Sequence, residues 1–542
     1  MTPPLSPVRV PVLILGGGVV GLSAALLLLH HGVRPLLVER HPGTSIHPRS
    51  RGINARSGEI FRQIGVFDEI EAAGSALQPA GGILRGESLF GALAQVPRRS
   101  LDAPDAAEAR RGVGKGMAQW TPTPSARCTQ DILEPILRAR ALERGGDLRF
   151  ATQLDSFTQD DDGVTAWLVD RTTGARTEVR ADYLIAADGV KGDTRERIGI
   201  GASGPGAFGD LLNVLLEVDL ADFVQGREPS QVMIENDEVS AVLVSIDNRS
   251  RWALHIVYRP DQGQTAAHFP PERCQQLARA ALGLPDVPIE VVGILPWQPS
   301  VRIAERLRTG RVFLAGDAAH EMPPWGGQGA NSGIAEVHNL AWKLSAVLRG
   351  TASASLLDTY ESERLPIGRF AAERSGDAAG RHGLPRVGSD GAPAALETMG
   401  RMFLIGFGYV YGEPEDLGKI ESFDGRVGSR VPHAWIESSG ARSSTLDLFG
   451  RGFVLVGRGA GWNEAVRALA ESDAIALEMV TVGEKGTLGG ADAWAEEIRL
   501  TEGNALLVRP DGFVAWRSDT APGGEPRARE LRAAVLGALG RG

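Results

Sequence analysis

Cysteine is almost missing from this chain: Cys128 and Cys274 are the two in 542 residues. Two thiols so far apart make no CxxC and no zinc-ligand spacing, and they rule out a disulfide framework. A reducing, cytoplasmic setting is the expectation. The ten histidines include no HExxH pair, so no metal site is expected. Basic runs are missing too: Lys and Arg never exceed a pair in succession, and the formal net charge is −10. That balance argues against nucleic acid or an anionic membrane as the main partner. Hydrophobic residues at 43% and charged residues at 23% are ordinary for a globular protein. The length calls for two to four domains rather than one core.

One long stretch lacks charge altogether. Val10–Leu29, VPVLILGGGVVGLSAALLLL, has the length of a membrane span, but it has three consecutive glycines in its middle and neither a basic start nor a cleavage site. It divides more naturally into a buried strand, a glycine turn and a helix stopped by Gly32. A second strand, VRPLLVE, then ends at Glu39. In this frame Gly16 permits the tight turn, Gly18 allows a pyrophosphate to approach the backbone, and Gly21 allows the helix to pack on the strand. Val20 lies within the same turn. Glu39, 18 residues after Gly21, can accept hydrogen bonds from a ribose 2′-OH and would repel a 2′-phosphate. The motif alone leaves NAD and FAD open. A second match, Gly199 to Gly204, follows no strand and runs into Pro205, so it reads as a loop.

Further along, Arg49, Arg51 and Arg56 lie in a loop leading to a helix near Ser57, placed for phosphate contacts. Gln130 opens an amphipathic helix over 128–145, where its side chain can face a ligand. The strand of ADYLIAADG puts Asp188 at a sheet's carboxyl end, where α/β sheets bind ligands. LLNVLLEVDL, EVSAVLVSI and RWALHIVY read as antiparallel strands of an inserted sheet over 210–300. A buried strand at 310–315 ends in Gly316-Asp317, and the helix after it starts at NSGIAEV. Further helices are expected over 352–411 and a linker over 412–432. From about 430, strand, helix, strand, a hairpin at Pro510-Asp511-Gly512 and a last helix fit a thioredoxin-like unit. That unit has no cysteine, so a packing or dimerisation role is expected of it.

Three motifs stand in order: GGGVVG…E, ADG, and GDAAHEMPPWGGQGAN. Together they resemble the class A FAD-dependent aromatic hydroxylases of the para-hydroxybenzoate hydroxylase fold over roughly residues 8 to 375. The tail resembles the extension of phenol hydroxylase relatives and polyketide-tailoring members. The resemblance implies an α/β fold: a Rossmann-like FAD-binding domain (1–78, 105–190 and 301–411), an inserted antiparallel-sheet substrate domain (79–104 and 191–300), and a thioredoxin-like domain (430–542). It places Gly16, Gly18, Gly21 and Glu39 on the ADP part of FAD, Arg40 beside the adenine, Arg49 near the pyrophosphate and Gln130 near the ribityl chain. Asp188 falls in the motif linked to FAD and NAD(P)H, and Gly316 with Asp317 meets the ribityl hydroxyls. Gly192 and Thr194 depart from the family's DGxxSxVR pattern, while Arg195 keeps it.

The implied chemistry is reduction of FAD by transient NAD(P)H, with NADPH preferred, then O2 addition and attack of an electron-rich ring on the flavin hydroperoxide. Backbone N–H groups of Gly329, Ala330 and Asn331, with Gly327 before them, are suited to negative charge on reduced flavin. Pro323 and Pro324 stiffen the chain, so that the Pro324 carbonyl can face the oxygen-transfer site. Gln231, His255, Trp297 and Trp325 are candidate substrate-lining residues. No acid or base is assigned; His255 is the one imidazole considered. The expected activity is hydroxylation of a polycyclic, polyketide-type phenol or quinone by a monomer or homodimer. The alternatives are Baeyer–Villiger oxygen insertion, hydroxylation of a simple phenol, a flavin dehydrogenase, and a non-enzymatic flavin-binding protein.

Overall fold

The computed structural model describes residues 8–75, 77, 81–98, 119–380, 384, 409–412, 424–438, 441–459, 461–473, 475, 477–483, 488, 491–518 and 525–542. The charge mixture of 99–112, residues 381–383 and 385–408 of the helical stretch expected over 352–411, and the middle of the expected linker, 413–423, lie outside these residues.

The long uncharged stretch resolves into strand Val8–Leu15, a glycine turn and helix Val19–His30. That helix is apolar on all sides because it is covered on all sides, by the Gln130–Glu143 and Gln328–Leu348 helices and the sheet beneath. None of the described helices is long and apolar enough to cross a membrane. Val8–Leu15 is the middle of five parallel strands within an eight-stranded sheet. Leu36–Val38 and then Asp147–Arg149 lie to one side of it, and Arg176–Ala186 and then Val312–Leu314 to the other. The apolar runs 12–15, Leu36–Val38, 183–186 and Val312–Leu314 are buried, as parallel strands covered on both faces require, while the edge strand Asp147–Arg149 is not. Four of them end on the residues singled out above: Leu15 before Gly16, Val38 before Glu39, Ala186 before Asp188, and Leu314 before Gly316-Asp317.

A six-stranded sheet stands apart, in the order Glu290–Trp297, Asp210–Glu217, Arg251–Tyr258, Ser240–Ser245, Pro229–Glu235, Gly81–Gly86. Its pairs are antiparallel except the last, which is parallel. The expectation of a purely antiparallel sheet therefore fails at one edge, where a strand arrives from the cofactor-side unit. Alternate residues Leu212, Val214, Leu216, Trp252, Leu254 and Ile256 pack under helices Leu89–Ala94 and Pro271–Leu282. The second glycine motif is not all loop: residues from Ala202 form strand Ala202–Ala207, paired with Ser300–Ala304.

The C-terminal unit runs Val454–Arg458, Trp462–Asp473, Glu478–Val482, Asp492–Glu497, Ala505–Val508, Val514–Arg517 and Glu525–Ala538. The second of its four strands is parallel to the first and the last two are antiparallel, giving the spatial order 2-1-3-4. Pro510, Asp511 and Gly512 turn the hairpin, with Gly512 at φ 80°.

Candidate active site

The glycine turn is shaped for close approach. Gly16 has φ 101°, and a Cβ there would sit 2.2 Å from the Ala187 carbonyl oxygen; one on Gly21 would meet the Gly16 oxygen at 1.9 Å. Gly18 faces a buried carboxylate, Glu134, whose Oε1 would be 3.5 Å from an added Cβ. Val20 fills the space against Gly316 and Gly333, where added Cβ atoms would meet its Cγ2 at 2.9 and 2.4 Å. Val20 therefore packs the turn onto the fourth strand's end. Glu39 closes the second strand: its carboxylate accepts from Gly17 N–H at 2.7 Å and His41 N–H at 2.8 Å. Arg40 follows at the same rim, its carbonyl accepting from Arg171 at 2.9 Å.

Gln130 donates to Glu134 at 2.6 Å, one helical turn on, and Ser45 N–H donates to the other Glu134 oxygen at 2.7 Å. Burial pushes the Glu134 carboxyl up, against the pull of these bonds and of Arg49. Sequence reading missed Glu134, although its i+4 spacing from Gln130 was the available signal. The three arginines separate. The Arg49 side chain is exposed and hydrogen-bonds to nothing among the described residues, but its charge acts on both Glu134 and Asp317. Arg51 instead reaches the six-stranded sheet, donating to the Ser230 and Ser245 carbonyls at 2.8 and 3.2 Å. Arg56 turns away to the C-terminal unit, donating to the Asp511 carbonyl at 3.0 Å. Placing Arg51 and Arg56 at phosphates is thus corrected, because both are spent on holding units together.

Asp188 accepts from the Thr194 hydroxyl at 2.6 Å, and burial raises its carboxyl. Its Oδ1 is buried without a partner among the described residues. A Cβ at Gly192 would lie 2.1 Å from the Asp188 carboxyl carbon, so glycine is required there. Thr194 supplies the hydroxyl that the departing position cannot. Asp317 is exposed at its tip but surrounded by protein, as a group on the floor of a cleft is. Burial raises its carboxyl, opposed by the charges of His320 and Arg49. His320 does not pair with Asp317; it meets the buried Glu336 at 2.5 Å, and Glu336 also accepts from Gly316 N–H at 2.8 Å. Burial is the largest influence and works to lower the His320 pKa, but the charge and hydrogen bond of Glu336, together with the Asp317 charge and a backbone hydrogen bond, make the net direction upward. Glu336 was not legible in advance, since it looked like one more acidic residue on a helix.

The helix after the double proline begins at Gln328, with Gly327 in the left-handed conformation (φ 65°) as its cap. The free first-turn donors are therefore those of Gln328, Gly329 and Ala330, one residue earlier than expected. The Asn331 side chain is occupied: Oδ1 accepts from Asn54 N–H (2.9 Å) and Ser57 Oγ (2.7 Å), and Nδ2 donates to the Gly327 carbonyl at 2.6 Å. Beyond its own neighbours, a Cβ on Gly329 would meet Asp317 Oδ1 at 3.6 Å, so this bare backbone faces the carboxylate. Pro324 is exposed and its carbonyl accepts from Gly327 N–H at 3.1 Å. Trp325 is 5% exposed, and Ser375 donates to the Pro323 and Trp325 carbonyls from behind. The Trp325 side chain is buried, and its carbonyl is held by Ser375.

Gln231, His255 and Trp297 share one face of the six-stranded sheet, the one turned from its helices. The pairing aligns Asn213 with His255, and His255 with Val242. Leu211, Met233, Val242, Val244 and Ala253 make this face apolar. Set into it are four buried polar atoms without partners among the described residues: Gln231 Oε1, His255 Nδ1, Trp297 Nε1 and Asn213 Oδ1. The His255 and Trp297 rings meet edge-on at 5.4 Å. An added Cβ on Gly293, on the same face, would lie 3.1 Å from His47 of the loop that leads to Arg49. Burial, then the Arg51 charge, lowers the His255 pKa to about 4, so its imidazole is neutral near pH 7 and a weak base there. Asn213 was missed, because within LLNVLLEV it reads as an interruption until the register puts it opposite His255.

These features fit FAD. A strand-end cradle closed to any Cβ, with a carboxylate at the second strand's end and another beside the helix start, would suit its phosphates and hydroxyls, and helix-start N–H groups would suit its ring. Known proteins agree. A model of an FAD binding domain matches residues 9–375, and one of the C-terminal domain of aromatic-ring hydroxylases matches 424–542. The chain is 41% identical to the tetracenomycin A2 monooxygenase-dioxygenase of Streptomyces glaucescens, covering 99% of this chain and 98% of that one. It is 34% identical to a 4-methyl-5-nitrocatechol 5-monooxygenase of a Burkholderia species, over 99% and 98%. The solved ternary complex of aklavinone-11 hydroxylase with FAD and aklavinone superposes with a TM-score of 0.83 at 34% identity, over 99% and 100% of the two chains. With cradle, carboxylates and both domain matches in agreement, the chain belongs to the FAD-dependent aromatic-ring hydroxylases and is a flavoprotein monooxygenase.

Proposed function

We propose that the protein hydroxylates a polycyclic, polyketide-type phenol or quinone, consuming NAD(P)H and O2 and releasing water and NAD(P)+. The observation that carries this reading is the sheet face with four polar atoms that have no partner among the described residues, set on an apolar wall. Burying such groups alone is costly, so a ligand with both hydrogen-bond donors and acceptors on a flat apolar body is their natural complement. The two relatives named for tetracenomycin and aklavinone support the polycyclic class.

In this reading Gly16, Gly18, Gly21 and Glu39 hold the ADP portion, with Arg40 at the adenine, Arg49 at the pyrophosphate, and Gln130, bonded to Glu134, near the ribityl chain. Asp188, Gly316 and Asp317 hold the remaining polar chain. When bound, FAD supplies the redox chemistry that passes electrons from NAD(P)H to O2 and one oxygen atom to the ring. The chain's own residues bind, orient and exclude water. Donors of Gln328, Gly329 and Ala330 stabilise negative charge at the ring, and the carbonyl of Pro324 borders the oxygen-transfer side. Gln231, Asn213, His255 and Trp297 fix the substrate's oxygens. As a neutral imidazole, His255 contributes a hydrogen bond rather than a charge.

A simple phenol is the second reading, favoured by the nitrocatechol monooxygenase relative. Purified yellow protein, NADPH and isotopically labelled O2, tested on aromatic polyketides and simple phenols, decide between them by product mass. One labelled oxygen with the ring intact supports hydroxylation. A lactone would mean Baeyer–Villiger insertion, and reductant oxidation unaffected by every aromatic would overturn the proposal.

A further inference from the structure

The C-terminal unit holds the Asp511 turn, and the loop before the Gln328–Leu348 helix is part of the flavoprotein unit. One short helix, Ala55–Gln63, touches both. On the C-terminal side, Arg56 donates to the Asp511 carbonyl at 3.0 Å and lies over the Phe513 ring, while Gln63 donates to the Pro510 carbonyl at 3.2 Å. The turn itself is locked. Asp511, 1% exposed, accepts from Arg509 and from Trp342 Nε1 at 3.1 Å, and Arg509 also forks onto Glu363 at 2.6 and 2.9 Å. Glu363 binds Lys343 at 2.7 Å, so the turn is anchored to two helices of the flavoprotein unit.

The first turn of the same helix, next to Arg56, grips the loop. Asn54 caps it by accepting from Ser57 N–H at 2.8 Å; Asn54 N–H and Ser57 Oγ both donate to Asn331 Oδ1. Asn331 then pins the Gly327 carbonyl, the residue whose left-handed conformation sets where the helix begins. Ser57 and Asn331 are 1% and 6% exposed, so these bonds do not exchange freely with water.

We propose that the C-terminal unit is a positioning device for the 326–331 segment, acting from the Asp511 turn through Arg56, Ser57 and Asn331. A cysteine-free thioredoxin-like unit thereby has a role other than thiol chemistry: it sets the main-chain donors of Gln328, Gly329 and Ala330. The flavin side of this statement rests on the function proposed above, but the mechanical link does not.

The test is amide hydrogen exchange on the FAD-loaded protein, with FAD affinity measured alongside by fluorescence titration. Arg56→Met and Ser57→Ala should each speed exchange across 326–333 by about tenfold, the scale of one lost buried hydrogen bond, and weaken FAD binding several-fold. Ser57→Thr should restore both. Arg62→Ala, on the same helix, removes a half-exposed ion pair with Asp447 and should change neither. Exchange that quickens only in 55–63 and 509–513, with 326–333 at the wild-type rate, would overturn the proposal. If Arg56→Met does not fold, Gln63→Met, which removes the other bond of this helix to the Asp511 turn, takes its place by the same criterion. Faster exchange in 326–333 with FAD affinity unchanged would uphold the link and overturn instead the flavin-facing assignment of the segment.

Discussion

The two faces of the six-stranded sheet arise from one alternation, yet they solve different problems. Under the helices, Leu212, Val214, Trp252, Leu254 and Ile256 interlock with Leu277, Ala281 and Leu282, and every one is at most 2% exposed. On the opposite face the apolar residues are interrupted by Asn213, Gln231, His255 and Trp297, each with a buried atom left without a partner among the described residues. The first arrangement maximises folding stability. The second gives some of it up, because a polar atom removed from water without a partner raises the free energy of the folded state. What differs is how the faces are completed: one is packed by its own helices, while the other keeps buried polar atoms that the proposed function gives to a bound molecule.

That contrast can be broken most easily from the closed face. Trp252→Ala should cost about 3–5 kcal/mol of stability by chemical denaturation, because it opens a large cavity in a packed core. A loss below about 1 kcal/mol would mean that the helices do not close this face tightly. The cleft floor comes next. Asp317→Ala should leave thermal stability close to wild type but raise the FAD dissociation constant about tenfold or more, as hydrogen bonds to the cofactor's hydroxyls vanish. Unchanged flavin retention would remove Asp317 from the cofactor's contacts.

The open face makes the more discriminating prediction. Gln231→Met combined with Asn213→Leu should hold or raise the melting temperature, since two unsatisfied groups are removed, while KM for the aromatic substrate rises about tenfold. A fall in melting temperature with KM unaltered would make this face ordinary core. The smallest effect concerns pH. The His255 imidazole titrates near 6.5 when unfolded but at about 4 when folded. Between those values the unfolded state binds more protons, so this residue's contribution to stability is full above 6.5 and is lost as pH falls toward 4. His433, also held at about 4 by burial, acts in the same direction. His255→Gln should therefore flatten, but not abolish, the acid limb of melting temperature against pH.

Much of the fold was legible because its signals are local. Glycines at 16, 18 and 21 between an apolar run and a helix, and the second strand ending in Glu39, announce a dinucleotide cradle whatever surrounds them. The βαβαββα order of the tail was readable for the same reason, apart from its short Asp492–Glu497 helix. The join from Gly316 to Asn331 was recognisable by composition, though its helix starts at Gln328 rather than near Asn331. Elsewhere local signals misled. Arg51 and Arg56 look like phosphate ligands beside such a motif, and only their long reach to Ser230 and Asp511 shows otherwise.

The chain's order of residues by itself determined the strand-end glycines, the carboxylates that follow the parallel strands, and membership of the flavoprotein family, because backbone conformation at those points depends on the residue present. Tertiary structure alone decided the rest: that His320 pairs with Glu336, that Asn213 stands opposite His255, and that Asn331 is gripped by Asn54 and Ser57. These pairings join residues far apart in sequence, and a buried polar group takes whichever partner the packing brings within about 3 Å.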